Sequence, residues 1–226
     1  MSRIIFDNEY VIVIPTFKET ASHKHDFYHI FFLNSDEIYV TGSGMKHTMP
    51  SLDECYAFLM IDPTSDLADH LREKVLVEGS PVRLKTSVTF AYSETLDDET
   101  VKERVTDWLK IVGFSDKKPK NEEVEDYRVI KLIQEIRDYK HLEKTVAQIA
   151  LRYDLSESRL SHAFKENVGI SLKGYLTIAR LKYAYKLVME GKSKTYASYE
   201  AGFSSPAHLA YICKKQMGIS ITDVLK

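Results

Sequence analysis

At 226 residues, 44% hydrophobic and 28% charged, the chain has the make-up of a globular protein with a packed core, long enough for one large or two small domains. The start, MSRIIFDNEYVIVIP, has no basic stretch leading into a long apolar run, and nowhere do about 18 apolar residues follow one another. Neither a secretory leader nor a membrane span is therefore expected, and the expected location is cytoplasmic. Two distant cysteines, Cys55 and Cys213, form neither a disulfide framework nor metal-ligand spacing, which fits a reducing compartment.

In chain order, YVIVIPTF, FYHIFFL, DEIYVTG and ECYAFLMID are short, rich in β-branched and aromatic residues, and separated by turn signals. They predict the strands of a sandwich or small barrel. TSDLADHLREKVL predicts a helix with Leu67 and Leu71 on one face. DETVKERVTDWLKIVGF predicts another, with Val101, Val105, Trp108/Leu109 and Val112 as an apolar stripe and Asp97/Asp98 suited to its N-terminus. Such a stripe packs on its own domain or pairs with a second copy.

SDKKPKNEEVED then supplies a charged, proline-containing linker. Cutting there shows that the net charge of −2 conceals an asymmetry: residues 1–127 hold 14 Lys and Arg against 24 Asp and Glu, and residues 128–226 hold 17 against 9. A basic C-terminal part suggests a polyanionic partner. YRVIKLIQEIRDYKH opens it as an amphipathic helix through Ile130, Ile133 and Ile136/Arg137.

An internal repeat follows. LSHAFKENVGISLKGYL (160–176) and LAYICKKQMGISITDVL (209–225) align without gaps at an offset of 49, and each is preceded by a short helical pattern and a turn. The layout is that of a helix-turn-helix, which needs a small residue where its helices cross, a tight turn and an apolar anchor on the second helix. Ala150, Asp154, Leu160 and Phe164 fill these places in the first copy. Ser198, Gly202 and Leu209 fill them in the second, whose turn carries one extra residue. SLKGYLTIARLKYAYKLVMEG, between the copies, predicts one long helix ending near Gly191.

On GYLTIARLKYAYKLV and AGFSSPAHL, residues 128–226 resemble the DNA-binding domain of AraC-type (AraC/XylS) transcription regulators, two helix-turn-helix units joined by a long helix. The chain departs from the family pattern at Leu209 and Cys213, where aromatic residues are usual, at Ala197-Ser198, and near Ile221. The resemblance implies recognition helices placed in successive major-groove segments of double-stranded DNA, commonly in an activator, with RNA polymerase as a further partner. Helical phase turns Ser158, Arg159, Ser161, His162 and Lys165 outward on the first recognition helix, opposite Leu160, Ala163, Phe164 and Asn167. Ser and His hydrogen-bond base edges, Arg159 suits guanine, and Lys165 suits phosphate. The same phase on the second helix presents Ala207, His208, Ala210, Tyr211, Lys214 and Lys215, a surface better fitted to anchoring than to discriminating bases.

The strand pattern and ASHKHDFYHIFFL resemble a cupin-like domain, which in AraC-type regulators binds a small-molecule effector or forms a homodimer. The expected architecture is thus α+β and multidomain: a cupin-like β-rich domain with accessory helices over 1–118, a linker over 119–127, and an all-α double helix-turn-helix domain over 128–226. His23, His25, His29 and His47 are the residue type that binds zinc. The glutamate that completes a cupin site is replaced by DFYHIFF, so a surface loop leading into a buried strand is expected, with no metal and no cofactor. Neither cysteine sits beside an activating base, and no enzyme activity is expected. Two other readings stay open: a cupin-type metal-binding enzyme with a helical accessory domain, and a protein-interaction module with a degenerate DNA-binding domain.

Overall fold

The computed structural model describes residues 2–16, 22–50, 54–88, 90, 93–114, 126–217 and 221–224. Most of the expected linker, residues 119–125, and the second Gly-Ile-Ser triplet, 218–220, lie outside them. The chain divides into two compact units, Met1–Pro119 with Gln216–Lys226, and Lys120–Lys215.

In the first unit, β1 (Arg3–Phe6), β2 (Tyr10–Ile14), β3 (Tyr28–Leu33), β4 (Glu37–Thr41), β5 (Cys55–Ile61) and β6 (Val82–Lys85) form one antiparallel sheet in the order β1-β2-β5-β3-β4-β6. Among the described residues the strands thus share a single sheet; the two layers of a sandwich are not formed. Register places Ile5, Ile12, Leu59, Ile30, Val40 and Val82 in one row across all six strands. Because side chains alternate along a strand, this row lies on one face, where it meets Leu67, Leu71, Val101, Val105 and Trp108 from the helices. The alternate residues, among them Val13, Phe58, Phe31 and Tyr39, occupy the other face.

Ser65 caps α1 (Asp66–His70), its hydroxyl accepting the Ala68 N–H at 3.1 Å. The helix expected to continue through Val75 instead widens into a π turn at Leu71–Val75, closed by the Leu76 N–H on Leu71 O. Five residues apart, Leu71 and Leu76 would diverge on an α-helix; the wider turn lets both enter the core. In α2 (Asp98–Ile111), capped by Asp97, the stripe of Val101, Val105, Trp108 and Leu109 is buried within its own unit. Trp108 stands edge-on to Phe32 and donates its indole N–H to Val88 O at 2.9 Å.

The second unit is helical: α3 (Tyr127–Arg137), α4 (Val146–Leu151), α5 (Glu157–Val168), α6 (Leu172–Met189), α7 (Lys194–Glu200) and α8 (Pro206–Met217), which runs two residues past it; α9 (Ile221–Val224) follows. The phase of α3 differs from expectation. Val129, Leu132 and Ile136 are buried and Ile130 is 45% exposed, because apolar residues at 129, 130, 132, 133 and 136 form an arc wide enough for two phases. The α6 helix buries residues on nearly every side, from Leu172 and Tyr175 to Tyr185 and Leu187, and touches α3, α5 and α7. It is the core of this unit as well as the connection between the repeats.

Candidate nucleic-acid interface

The two repeats fold into matching units. Thr145 and Gln148 form a reciprocal capping box at the start of α4, which fixes where this short helix begins. Ala150 is buried, as is Leu155, whose N–H bonds Ala150 O at 3.1 Å across the turn. Asp154 holds that turn at φ +54°, a left-handed conformation that aspartate tolerates better than most residues. The Ser156 hydroxyl then accepts the Arg159 N–H and starts α5. Leu160 and Phe164 are fully buried, the latter against the Tyr175 ring.

The second unit repeats these contacts. The Phe203 N–H bonds Ser198 O at 2.9 Å, as Leu155 does Ala150; Gly202 takes the left-handed position at φ +80°; and the Ser205 hydroxyl accepts the His208 N–H. Leu209 and Cys213 occupy the buried places of Leu160 and Phe164. The matching offset is 48 through Phe203 and 49 from Ser205, which identifies Ser204 as the inserted residue. Its hydroxyl lies 2.9 Å from His208 Nδ1, and the His208 ring stands edge-on to Phe203. The insertion thereby ties down a side chain that the sequence places on the outward flank.

Ser198 is buried with its hydroxyl donating to Thr195 O at 2.8 Å, so a polar residue sits at the helix crossing without a lost hydrogen bond. Gly202 is required by space as well as by φ: a Cβ there would lie 2.3 Å from Leu142 O. That carbonyl also accepts Arg180 Nε at 2.6 Å, while Arg180 Nη2 reaches Lys144 O at 3.2 Å. One arginine of the central helix therefore clamps the segment that leads into the first repeat. Its place among apolar residues in TIARLKYAY was the sequence signal for a buried role.

Ser158, Arg159, His162 and Lys165 are exposed on α5, with Ser161 half-buried beside them. Ala207, Ala210, Tyr211, Lys214 and Lys215 are exposed on α8, and His208 is half-buried. The Lys215 ammonium lies 6.0 Å from the Tyr211 ring centroid. Asn167, expected on the inward side, is exposed and turned back onto Ala163 O, and Val168 is buried in its stead.

Sequence reading passed over the hub beneath α3. Glu135 accepts from His141 Nε2 at 2.6 Å and from the Tyr153 hydroxyl at 2.8 Å, and the His141 hydrogen bond, ahead of that from Tyr153, holds its carboxyl below the usual range. Among the described residues, the group placed to hold a metal is His23, His25 and His47, which belongs to the sheet unit.

Residues 149–226, which span both helix-turn-helix units and the central helix between them, match the family model described as a helix-turn-helix domain. Transcriptional regulatory protein HptR of Staphylococcus aureus is 30% identical over 108 residues, 46% of this chain and 41% of HptR. An uncharacterized response regulatory protein of Staphylococcus epidermidis is 29% identical over 102 residues, 45% of this chain and 41% of the relative. The chain thus spans about two fifths of the length of these relatives. In fold it is similar to ToxT of Vibrio cholerae, solved with an unsaturated fatty acid bound: TM-score 0.51 and 13% identity over 95% of this chain and 94% of ToxT. Another ToxT structure gives 0.51 and 14% over 100% and 96%. Among the described residues, no helix is long and apolar enough to cross a membrane.

Proposed function

We propose that the chain is a sequence-specific DNA-binding transcription regulator, with residues 128–226 as its DNA-binding domain and 1–118 as an effector-binding or dimerisation domain of cupin-like type. The observation that carries this reading is the pair of matching helix-turn-helix units, each with a polar or basic outward face on its second helix. Four hydrogen-bonding side chains on α5 (Ser158, Arg159, Ser161 and His162) give the first unit the means to discriminate base edges, with Lys165 set for phosphate. On α8 two alanines, a tyrosine and two lysines offer methyl contact, phosphate contact and charge, and His208 is engaged by Ser204. The first unit reads sequence and the second positions the domain.

Activation through RNA polymerase, homodimerisation and response to a small molecule belong to the same proposal. The fatty acid bound by ToxT supports the last of these. Binding-site selection with the full chain tests the division of labour. His162→Ala is expected to relax the selected sequence at one position or more, by about 1–3 kcal/mol of discrimination, and Tyr211→Ala to leave it unchanged. Equal relaxation by both would remove the division, and no selected sequence at all would favour a protein-interaction module.

A further inference from the structure

The outward surface of α8 divides into two stripes. At about 100° per residue, Tyr211 and Lys215 lie within about 60° of His208, so these three share one side of the helix. Ala207, Ala210 and Lys214 form the neighbouring side. The first stripe is polar from end to end and about 10 Å long, seven residues at about 1.5 Å each. The second is two methyl groups with a lysine at its end. From Ala201 to Thr222 the sequence has no acidic residue, whereas α5 carries Glu157 and Glu166. No carboxylate of α8 itself therefore competes for the donors of the polar stripe.

The imidazole at the head of this stripe is held from two sides. Its Nδ1 lies 2.9 Å from the Ser204 hydroxyl, and its ring stands edge-on to Phe203, centroids 5.5 Å apart. Phe203 is itself buried, with its N–H on Ser198 O. The backbone is fixed as well, because the His208 N–H bonds the Ser205 hydroxyl at 3.0 Å. A serine hydroxyl donates readily into an imidazole nitrogen, and the ring proton then sits on the other one, Nε2. The first repeat is not built this way. Arg159 stands there in the place of His208, and nothing in the first turn corresponds to the inserted Ser204. A long arm that must be ordered on binding is thus replaced by a short ring ordered beforehand. At the other end of the stripe the Lys215 ammonium lies 6.0 Å from the Tyr211 ring centroid.

We propose that the His208 Nε2–H, the Tyr211 hydroxyl and the Lys215 ammonium bind successive phosphates of one DNA strand, and that Ser204 is the positioning residue that aims His208 at its phosphate. The inference rests on the reading of the chain as a DNA-binding regulator. Each of the three groups offers a hydrogen-bond donor to an acceptor-only phosphate oxygen, and none has the paired geometry with which arginine, asparagine or glutamine discriminates bases. A strand presents one phosphate for about every 3.4 Å of helix axis, so a stripe of about 10 Å spans roughly three of them. Gripping the backbone along this side leaves the Ala207 and Ala210 methyl groups toward the bases, where they suit thymine methyls. The residue inserted into the second turn thereby gives the second unit its fixed register on the duplex.

The test uses the full chain and a fluorescent duplex of the sequence it selects, with one phosphate at a time replaced by a neutral methylphosphonate. At one phosphate the replacement is expected to weaken the parent about tenfold, the worth of a hydrogen bond to a charged group, and to cost His208→Ala nothing further. On the unmodified duplex, Ser204→Ala is expected to bind about threefold more weakly, and Ser204→Thr, which keeps the hydroxyl, to bind as the parent does. The double variant of Ser204→Ala with His208→Ala is expected to bind no more weakly than His208→Ala alone. Lys215→Ala is expected to lower the slope of log affinity against log salt by about 0.9. Circular dichroism establishes that each variant is folded; Ser204 is exposed, so its two variants carry the test even where His208→Ala does not fold. Additive losses from Ser204 and His208 overturn the stripe and leave the regulator reading standing. So does a His208→Ala protein that responds to every phosphate as the parent does, or that selects an altered sequence. A folded parent that binds no duplex overturns both.

Discussion

Replacing Gly202 by alanine brings two separable penalties. The first is conformational: φ of +80° costs a residue with a Cβ about 1–2 kcal/mol. The second is steric. The new Cβ would sit 2.3 Å from Leu142 O and 2.7 Å from Leu142 C, against a working minimum near 3.0 Å, so backbone must move by several tenths of an ångström. The carbonyl cannot yield freely, because Arg180 holds it at 2.6 Å; disturbing that charge-assisted bond adds about 1.5–3 kcal/mol. The expected loss is roughly 2.5–5 kcal/mol, set against a domain stability on the order of 5–15 kcal/mol. Gly191→Ala supplies the control, since Gly191 has φ +84° and nothing within 4 Å of the place its new methyl would take, and its cost is the conformational part alone. Urea unfolding of the full chain, followed by far-ultraviolet circular dichroism, compares the two. Equal losses in both variants would remove the close contact with Leu142 from the account of this turn.

Other outcomes follow from the same contacts. Lys214→Ala is expected to weaken binding to all DNA sequences alike and to reduce the slope of log affinity against log salt by about 0.9; a change confined to one sequence would make Lys214 a base reader. Glu135, held below the ordinary carboxylate range by its bond from His141, contributes stability above its unfolded value near 4.5, and loses it as pH falls through the folded value. Glu135→Gln is therefore expected to be less stable at neutral pH and to flatten the acid limb of the stability curve; parallel curves would show the carboxylate to be idle. Burial pushes the Cys55 thiol up to about 12 and the Cys213 thiol up to about 11. Both are expected to resist alkylation at neutral pH until the chain is unfolded, and rapid labelling of the native protein would contradict their burial.

The double helix-turn-helix was legible in the sequence because it is local and written twice. The offset of 49 exposed the repeat, and the turn residues Asp154 and Gly202 sit where the chain needs a left-handed bend. Ser204 was visible only as an extra residue, and its bond to His208 needed coordinates. The phase of α3 was ambiguous because its apolar arc is wide, and partners elsewhere in the unit decided in favour of Val129 over Ile130. The π turn at Leu71–Val75 likewise answers to the core rather than to local propensity. The histidine cluster was the least legible feature. His23, His25 and His29 are neighbours in sequence, but His47 joins them only through the pairing of β3 with β4 and the bridge that follows, a nonlocal fact that spacing does not encode.

The chain's only tryptophan, Trp108, lies buried in the sheet unit, its ring against Phe32 and its N–H on Val88 O. The molecule therefore carries a built-in reporter whose emission follows the sheet unit alone, while most of the helical signal comes from the repeats. The two halves can be melted, titrated or mutated in a single intact sample and their responses told apart by optical channel, without cutting the chain. Any signal that passes from the sheet unit to the helices on adding a ligand would then register as a change in the second channel that tracks the first.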